Sequence, residues 1–186
     1  MDICIKKGGM LCLSGPSGIG KSTVLNIAAG LISPDTGDVK RSSEQIGVAF
    51  QNPVLLPWKS ALDNLRFIVS GQSDKNESTI YTWLDKMGLT EAAHKKPHEM
   101  SGGMQKRLGL AASLITRPKL FFLDEPFTFL DHSWQQRIAL ELKQLNFNTG
   151  LTIFMANHEL SPVKSMGAEI LRIFGTPIRI SQKASP

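Results

Sequence analysis

The sequence predicts an α/β fold: a mainly parallel sheet flanked by helices, with a helical lobe inserted into it. Three observations predict it. Short continuous apolar runs, Leu120-Phe121-Phe122-Leu123 and Leu151 to Ala156 among them, read as strands buried on both faces. Helical stretches alternate with these runs, and strands alternating with helices build a doubly wound parallel sheet. From Ser60 to Lys95 the texture turns wholly helical, which marks the lobe.

The elements follow in order. Met1 to Gly9 places Ile3 and Ile5 in strand-like alternation and ends in a Gly8-Gly9 turn. Met10-Leu11-Cys12-Leu13 is the first buried strand. A glycine-rich loop leads from it into a helix over Ser22 to Ala29, which Gly30 ends. Leu31 to Val39, with Pro34-Asp35-Thr36-Gly37 inside it, reads as a turn entering another strand. Ile46 to Phe50 is a further strand, stopped by Gln51-Asn52-Pro53. In the helical block Leu62, Leu65 and Val69 share one face, while Ile80, Trp83, Leu84 and Met87 share another. Gly88 stops that second helix, and a short one covers Thr90 to Lys95. Ser101-Gly102-Gly103 opens a helix through Leu114. The strand at Leu120 ends in Asp124-Glu125-Pro126. A helix over Ser133 to Leu145 and an Asn148-Thr149-Gly150 turn come next, and the strand at Leu151 ends at Asn157-His158. Glu169 to Phe174 and Pro177 to Ile180 close as a hairpin around Gly175-Thr176. We expect one domain over 1–186, with a core of about 1–52 and 115–186 and a lobe of about 53–114.

Bulk properties exclude several classes. The 186 residues are 41% hydrophobic, enough to bury a sizeable core. No apolar run approaches the roughly 20 residues that span a bilayer. Met1 to Lys7 lacks the charged-then-apolar order of a secretory signal, so a cytoplasmic location is expected. Two cysteines make no disulfide framework: Cys12 falls in a core strand and Cys4 is expected to be free. The net charge of +5 is spread over scattered lysines and arginines, without a basic run interleaved with aromatics. No specific nucleic acid partner is therefore expected. His94 and His98 lie four apart with Pro97 between them and read as surface residues, not metal ligands.

The chemistry starts at Gly15-Pro16-Ser17-Gly18-Ile19-Gly20-Lys21-Ser22-Thr23, which matches the phosphate-loop pattern G-x-x-x-x-G-K-[ST] in its proper strand–loop–helix context. Successive backbone N–H groups must converge on phosphate oxygens, which requires a tight chain free of Cβ atoms. The helix N-terminus adds its dipole. Lys21 can reach the β- and γ-phosphates, and the Ser22 hydroxyl can bind Mg²⁺. This is the signature of a P-loop NTPase. Such a fold needs a carboxylate delivered to the same sheet edge. Asp124 can hold Mg²⁺ directly or through water. Glu125 can act as general base on the attacking water.

Met100-Ser101-Gly102-Gly103-Met104-Gln105-Lys106-Arg107 resembles the signature peptide of ATP-binding-cassette (ABC) ATPases. In that family the serine and glycines of one protomer close on the γ-phosphate held by the phosphate loop of the other, so two chains sandwich two ATP molecules. The resemblance implies roles for further residues. Gln51 resembles the glutamine that contacts Mg²⁺ and water and links core to lobe. Phe129-Leu130-Asp131 resembles the loop that places Asp131 at the dimer contact. His158 resembles the histidine that contacts the γ-phosphate. Phe50 to Trp58, Ala61-Leu62-Asp63-Asn64, Met104 and Asp124-Glu125-Pro126-Phe127 resemble the nitrate/sulfonate/taurine importer group. There the segment after the glutamine touches the membrane subunit, which makes Trp58 a candidate for that contact.

The chain also departs from the family pattern. Only 14 residues precede Gly15 and none is aromatic, whereas relatives carry a longer N-terminal β region with an adenine-stacking aromatic. The N-terminal β region is expected to be reduced and ATP affinity to be weaker. Ala112 stands where relatives often have arginine, and Thr128-Phe129 replaces small residues. Asn157 and Glu159 flank His158 where threonine and aspartate are commoner.

The resemblance implies an ATP-binding subunit of an importer. It would hydrolyse Mg·ATP as a homodimer on the inner face of the cell membrane, against a permease served by an extracytoplasmic solute-binding protein. Two alternatives stay open. One is a soluble ABC clamp on nucleic acid or the ribosome, although only 50 residues separate Gln51 from Ser101 and leave no room for a long coiled coil. The other is a shortened nucleotide-binding regulatory subunit with little turnover.

Overall fold

The computed structural model describes residues 2–70, 77–175 and 179–180. Strand β1 (Met10–Ser14) runs through the glycine loop into helix α1 (Lys21–Ala29), and β2 (Ile46–Ala49) follows after an irregular segment. Helices α2 (Ala61–Val69) and α3 (Glu77–Lys86) and two single turns of 3₁₀ helix (Thr90–Ala92 and Pro97–Glu99) form the helical block. Then come α4 (Gly102–Leu114), β3 (Leu120–Asp124), α5 (His132–Thr149) and β4 (Thr152–Ala156). The chain closes with α6 (Ser161–Met166), β5 (Glu169–Phe174) and β6 (Arg179–Ile180).

Six strands lie in the order β2-β3-β4-β1-β5-β6. All neighbours are parallel except β5 and β6, which pair antiparallel. Register positions the site. Leu13 pairs with Ala156 and Ala156 with Asp124, so β1, β4 and β3 end on one line. Ala49 pairs with Leu123, which brings Phe50 and Gln51 to the same edge.

The alternation of side chains along each strand feeds two cores. Cys12, Phe121, Leu123, Ile153, Met155 and Ile170 face a cluster that continues through α4, α5 and the helical block to Leu62, Leu65 and Leu84. Leu11, Leu13, Leu120, Phe122, Phe154 and Leu171 face the smaller cluster under Leu25 and Ala29 of α1. Each large apolar side chain buried this way contributes about 1.5–3 kcal/mol.

Caps set the helix limits. Gly30 ends α1 in the left-handed conformation, and its N–H donates to the Asn26 and Ile27 carbonyls. The Ser60 hydroxyl caps α2, Ser101 caps α4 and Asp131 caps α5.

Several expectations need correction. Ile3 and Ile5 are not in a strand; they pack irregularly against the smaller core. The segment entering Val39 is also irregular, because among the described residues no strand lies beside it to complete a ladder. The helix at Ser133 begins at His132 and runs to Thr149, so the turn expected there shrinks to Gly150. Helix α6 was not read, although Pro162 in its first turn and left-handed Gly167 at its end are ordinary boundary signals. The short helix at Thr90 is a single 3₁₀ turn. The hairpin strands pair as expected, and the Thr176 of its turn lies outside the described residues.

Candidate functional site

The phosphate loop owes its glycines to two different constraints. Gly18 (φ +77°) and Gly20 (φ +101°) are left-handed, a conformation that disfavours side chains. Gly15 is required by contact instead: a Cβ there would lie 2.6 Å from the Ile173 carbonyl oxygen of β5. No side chain caps the N-terminus of α1, and no acidic residue stands in its first turn. Its leading N–H groups therefore face the loop unclaimed, which is the condition for anion binding. Lys21, only 6% exposed, folds its ammonium back over the loop and donates to the carbonyls of Gly15 (2.8 Å) and Pro16 (2.9 Å). Ser22 and Thr23 are exposed beside it.

A second group gathers around Glu125. Gln51 Nε2 donates to Glu125 Oε2 at 3.1 Å, and the Thr128 hydroxyl donates to the same oxygen at 3.2 Å. His158 Nδ1 lies 3.5 Å from Glu125 Oε1. Glu125 itself is left-handed (φ +46°), and its N–H donates to the Ala156 carbonyl at 2.9 Å. A non-glycine residue in this region carries strain of roughly 1–2 kcal/mol. At this left-handed residue the carboxylate meets Gln51 and lies beside His158. Asp124, one residue earlier at the strand end, accepts no side-chain hydrogen bond among the described residues and stays partly exposed. The structure thus joins Gln51, Glu125 and His158, which follow three different strands, β2, β3 and β4, and sets Asp124 beside them.

The signature turn is built separately. The Ser101 hydroxyl accepts from the Met104 N–H at 3.3 Å, with Gly102 and Gly103 opening α4. A Cβ on Gly103 would meet the Phe129 carbonyl at 2.9 Å, so this turn packs directly on the loop that leads to Asp131. Asp131 caps α5: its Oδ1 accepts from the Ser133 hydroxyl (2.6 Å) and the Trp134 N–H (2.9 Å), and these bonds hold its carboxyl below the usual range. No hydrogen bond among the described residues ties Ser101, Gly102 or Gly103 to the phosphate loop. Arg107 steadies the turn. Its guanidinium stacks 3.8 Å from the Trp134 ring centre, donates to the Met87 and Gly88 carbonyls and, through Nε, to Gly103. Burial lowers its pKa.

Two residues escaped the sequence reading. Thr128 was noted only as a departure from small residues; it lies three positions from Glu125, within one turn of chain. Lys106 was read only as part of the signature peptide. It is among the largest fully buried side chains of the described residues, and its ammonium donates to the carbonyls of Gln51 (2.8 Å), Phe50 (3.1 Å) and Asp124 (3.4 Å). Burial pushes its pKa down to about 8, against the opposing charges of Asp124 and Glu125. A signal existed: Lys106 precedes buried Leu110 by four residues and buried Leu114 by eight, on the core face of α4.

His94 and His98 are exposed, as expected, and no cluster of three or more His, Cys, Asp or Glu residues suited to a metal occurs among the described residues. The residues expected to hold Mg²⁺, Ser22, Gln51 and Asp124, supply a hydroxyl, an amide oxygen and one carboxylate. Hard oxygen donors with few carboxylates suit Mg²⁺ shared with phosphates.

A sequence profile of the ABC transporter family matches residues 1–128. The chain belongs to the ABC transporter family. Membership makes it an ATP-binding cassette and an ATPase. A second profile, of an AAA domain linked to the AbiEii toxin of type IV toxin–antitoxin systems, matches residues 96–161. Among curated ABC relatives, the taurine import ATP-binding protein of Pseudomonas aeruginosa is 35% identical over 98% of this chain and 73% of its own length. The nitrate import ATP-binding protein of Synechococcus elongatus is 32% identical over 95% of this chain and 69% of its own. A dimeric ATP-binding cassette solved in a post-hydrolysis state with ADP and Pi superposes with a TM-score of 0.88 at 26% identity, covering 98% of this chain and 88% of that one. No helix among the described residues is long and apolar enough to cross a membrane.

Proposed function

We propose that this chain is the ATP-hydrolysing subunit of an ABC importer and that two copies hold two ATP molecules across their interface. The observation that carries the catalytic part is the Glu125 cluster: a strained carboxylate held by Gln51 and Thr128, with His158 beside it, on the sheet edge where the phosphate loop begins. The importer reading is supported by relatives that are nitrate, taurine and sulfonate import ATP-binding proteins. We take the chain as one domain, with core 1–52 and 115–186 and lobe 53–114.

In this reading residues Gly15 to Thr23 wrap the phosphates with their N–H groups, and Lys21 exchanges the Gly15 and Pro16 carbonyls for phosphate oxygens. Ser22, Gln51 and Asp124 would hold Mg²⁺, which would neutralise phosphate charge when bound. Glu125 accepts a proton from the attacking water. As the bond from water oxygen to the γ-phosphorus forms, the bond to the β,γ-bridging oxygen breaks and ADP leaves with that electron pair. His158 stabilises the charge on the transferring group. Ser101, Gly102 and Gly103 meet the γ-phosphate bound by the other copy, and Asp131 lies at that contact.

The partner is a membrane permease, with an extracytoplasmic solute-binding protein beyond it, and the chain sits against the inner face of the membrane. Val54 (78% exposed) and Trp58 (68% exposed) offer apolar surface just after Gln51 for the permease contact. Glu125→Gln is expected to lower ATP turnover by about a hundredfold or more, while nucleotide still binds. Absence of turnover in both forms would favour a binding-only regulatory subunit. Affinity capture from gently solubilised membranes tests the partner: a stoichiometric polytopic protein is expected, and ribosomes or nucleic acid in its place would sink the importer reading.

A further inference from the structure

The catalytic scheme leaves the buried ammonium of Lys106 unused. Lys106 is 1% exposed, and its three N–H donors meet three carbonyls and no carboxylate. Two of those carbonyls, of Phe50 and Gln51, belong to the backbone that carries the Gln51 side chain to Glu125. The third belongs to Asp124, the residue before Glu125. Lys106 itself stands on α4, little more than one turn beyond the Ser101 cap. A buried charge without a contacting counter-ion is expensive, and an apolar side chain of similar length serves packing alone at lower cost. A position that keeps the ammonium therefore uses its donors.

We propose that Lys106 is a positioning residue: a strut that fixes the Gln51 backbone against the end of β3 and ties both to the signature turn of the same chain. The inference rests on the ATPase reading for its kinetic part. Through this strut, a shift of Gln51 at a chain's own nucleotide moves the α4 turn that the chain presents to the other copy. Loss of the donors leaves three carbonyls short of a partner and lets the Gln51 segment drift from Glu125. A misplacement of about 1 Å at a reacting centre lowers rates by up to about a hundredfold.

The test compares Lys106→Met with Lys106→Gln in the full chain. Methionine matches the length without donors, and glutamine keeps two N–H donors. Hydrogen exchange of the Phe50, Gln51 and Asn52 amides is expected to quicken about tenfold in the Met variant and to stay near wild type in the Gln variant. The kcat for ATP should fall about tenfold with Met and recover most of that loss with Gln, while KM moves less than about threefold. A packing role alone predicts the opposite order, with Met better tolerated than Gln, and that order overturns the proposal. So does wild-type exchange and kcat in the Met variant. If the Met variant does not fold, exchange in the Gln variant decides: near-wild-type protection supports the strut and about tenfold faster exchange overturns it. Exchange is read without turnover, so an inactive wild type would count against the ATPase reading and leave the strut tested.

Discussion

Gly15 and Gly18 look alike in the phosphate-loop pattern, yet different physics holds each in place. Gly18 is left-handed with open space around it, whereas Gly15 lies outside the left-handed region and has the Ile173 carbonyl where its side chain would be. Gly18→Ala is expected to destabilise by about 1 kcal/mol, the cost of a left-handed alanine. Gly15→Ala must push β5 away and is expected to cost about 1–3 kcal/mol and to weaken ATP binding about tenfold or more. Nucleotide titration of the two variants checks the contrast, and equal affinities would show that β5 does not shape the loop. Motif chemistry points to Lys21, Ser22, Asp124 and Glu125, and family resemblance to Gln51, Ser101, Asp131 and His158; of these the structure joins Gln51, Glu125 and His158. No motif names Thr128 or Lys106: the Thr128 bond depends on the turn that follows left-handed Glu125, and the carbonyls that Lys106 meets lie across the core, where no local pattern reports them.

Among the elements, the strands β1, β3 and β4 were read to within a residue or so, since a run buried on both faces leaves little room for another reading. The failures lie where tertiary pairing decides. Ile3, Ile5 and Val39 have strand chemistry and no ladder. Helix α4 shows what anchors an element beyond its own propensity. Arg107 lies against the Trp134 ring of α5, with the carbonyls of Met87 and Gly88 at its tip, and Arg137 stands 4.7 Å from the same ring. Gly88 is left-handed, and a Cβ there would strike Trp134 at 2.5 Å. Helical block, signature helix and α5 thus share one joint. Trp134→Ala is expected to cost about 2–4 kcal/mol and to lower the apparent cooperativity of denaturant unfolding as the helical block loosens. Trp134→Phe, which keeps a ring under Arg107, should cost about 1 kcal/mol. Denaturation curves of the two variants separate a stacking joint from a bystander: similar small losses would remove the joint.

The whole molecule can be probed through its two thiols. Cys4 is exposed and Cys12 lies fully buried in β1 at the centre of the sheet. Burial pushes the Cys12 thiol up to about 12 from 9.0, with the Asn157 backbone and Lys21 opposing it. The folded state favours the neutral thiol, so this contribution is complete below pH 9 and is lost as pH climbs toward 12. A thiol reagent at pH 8 is expected to label one cysteine in the native chain and both in denaturant, and raising the pH to 9 should leave the native count at one. Two labelled thiols under native conditions would mean that β1 opens without global unfolding. The line on which β1, β4 and β3 end has a mechanical meaning as well. Five parallel strands bonded side by side and packed on both faces form a plate of low compressibility. A push delivered at its rim, where Gly15, Gln51, Glu125 and His158 stand, runs along the strand axes and meets a stiff wall. The plate serves as an anvil, and the work of a stroke is delivered to whatever leans on its edge.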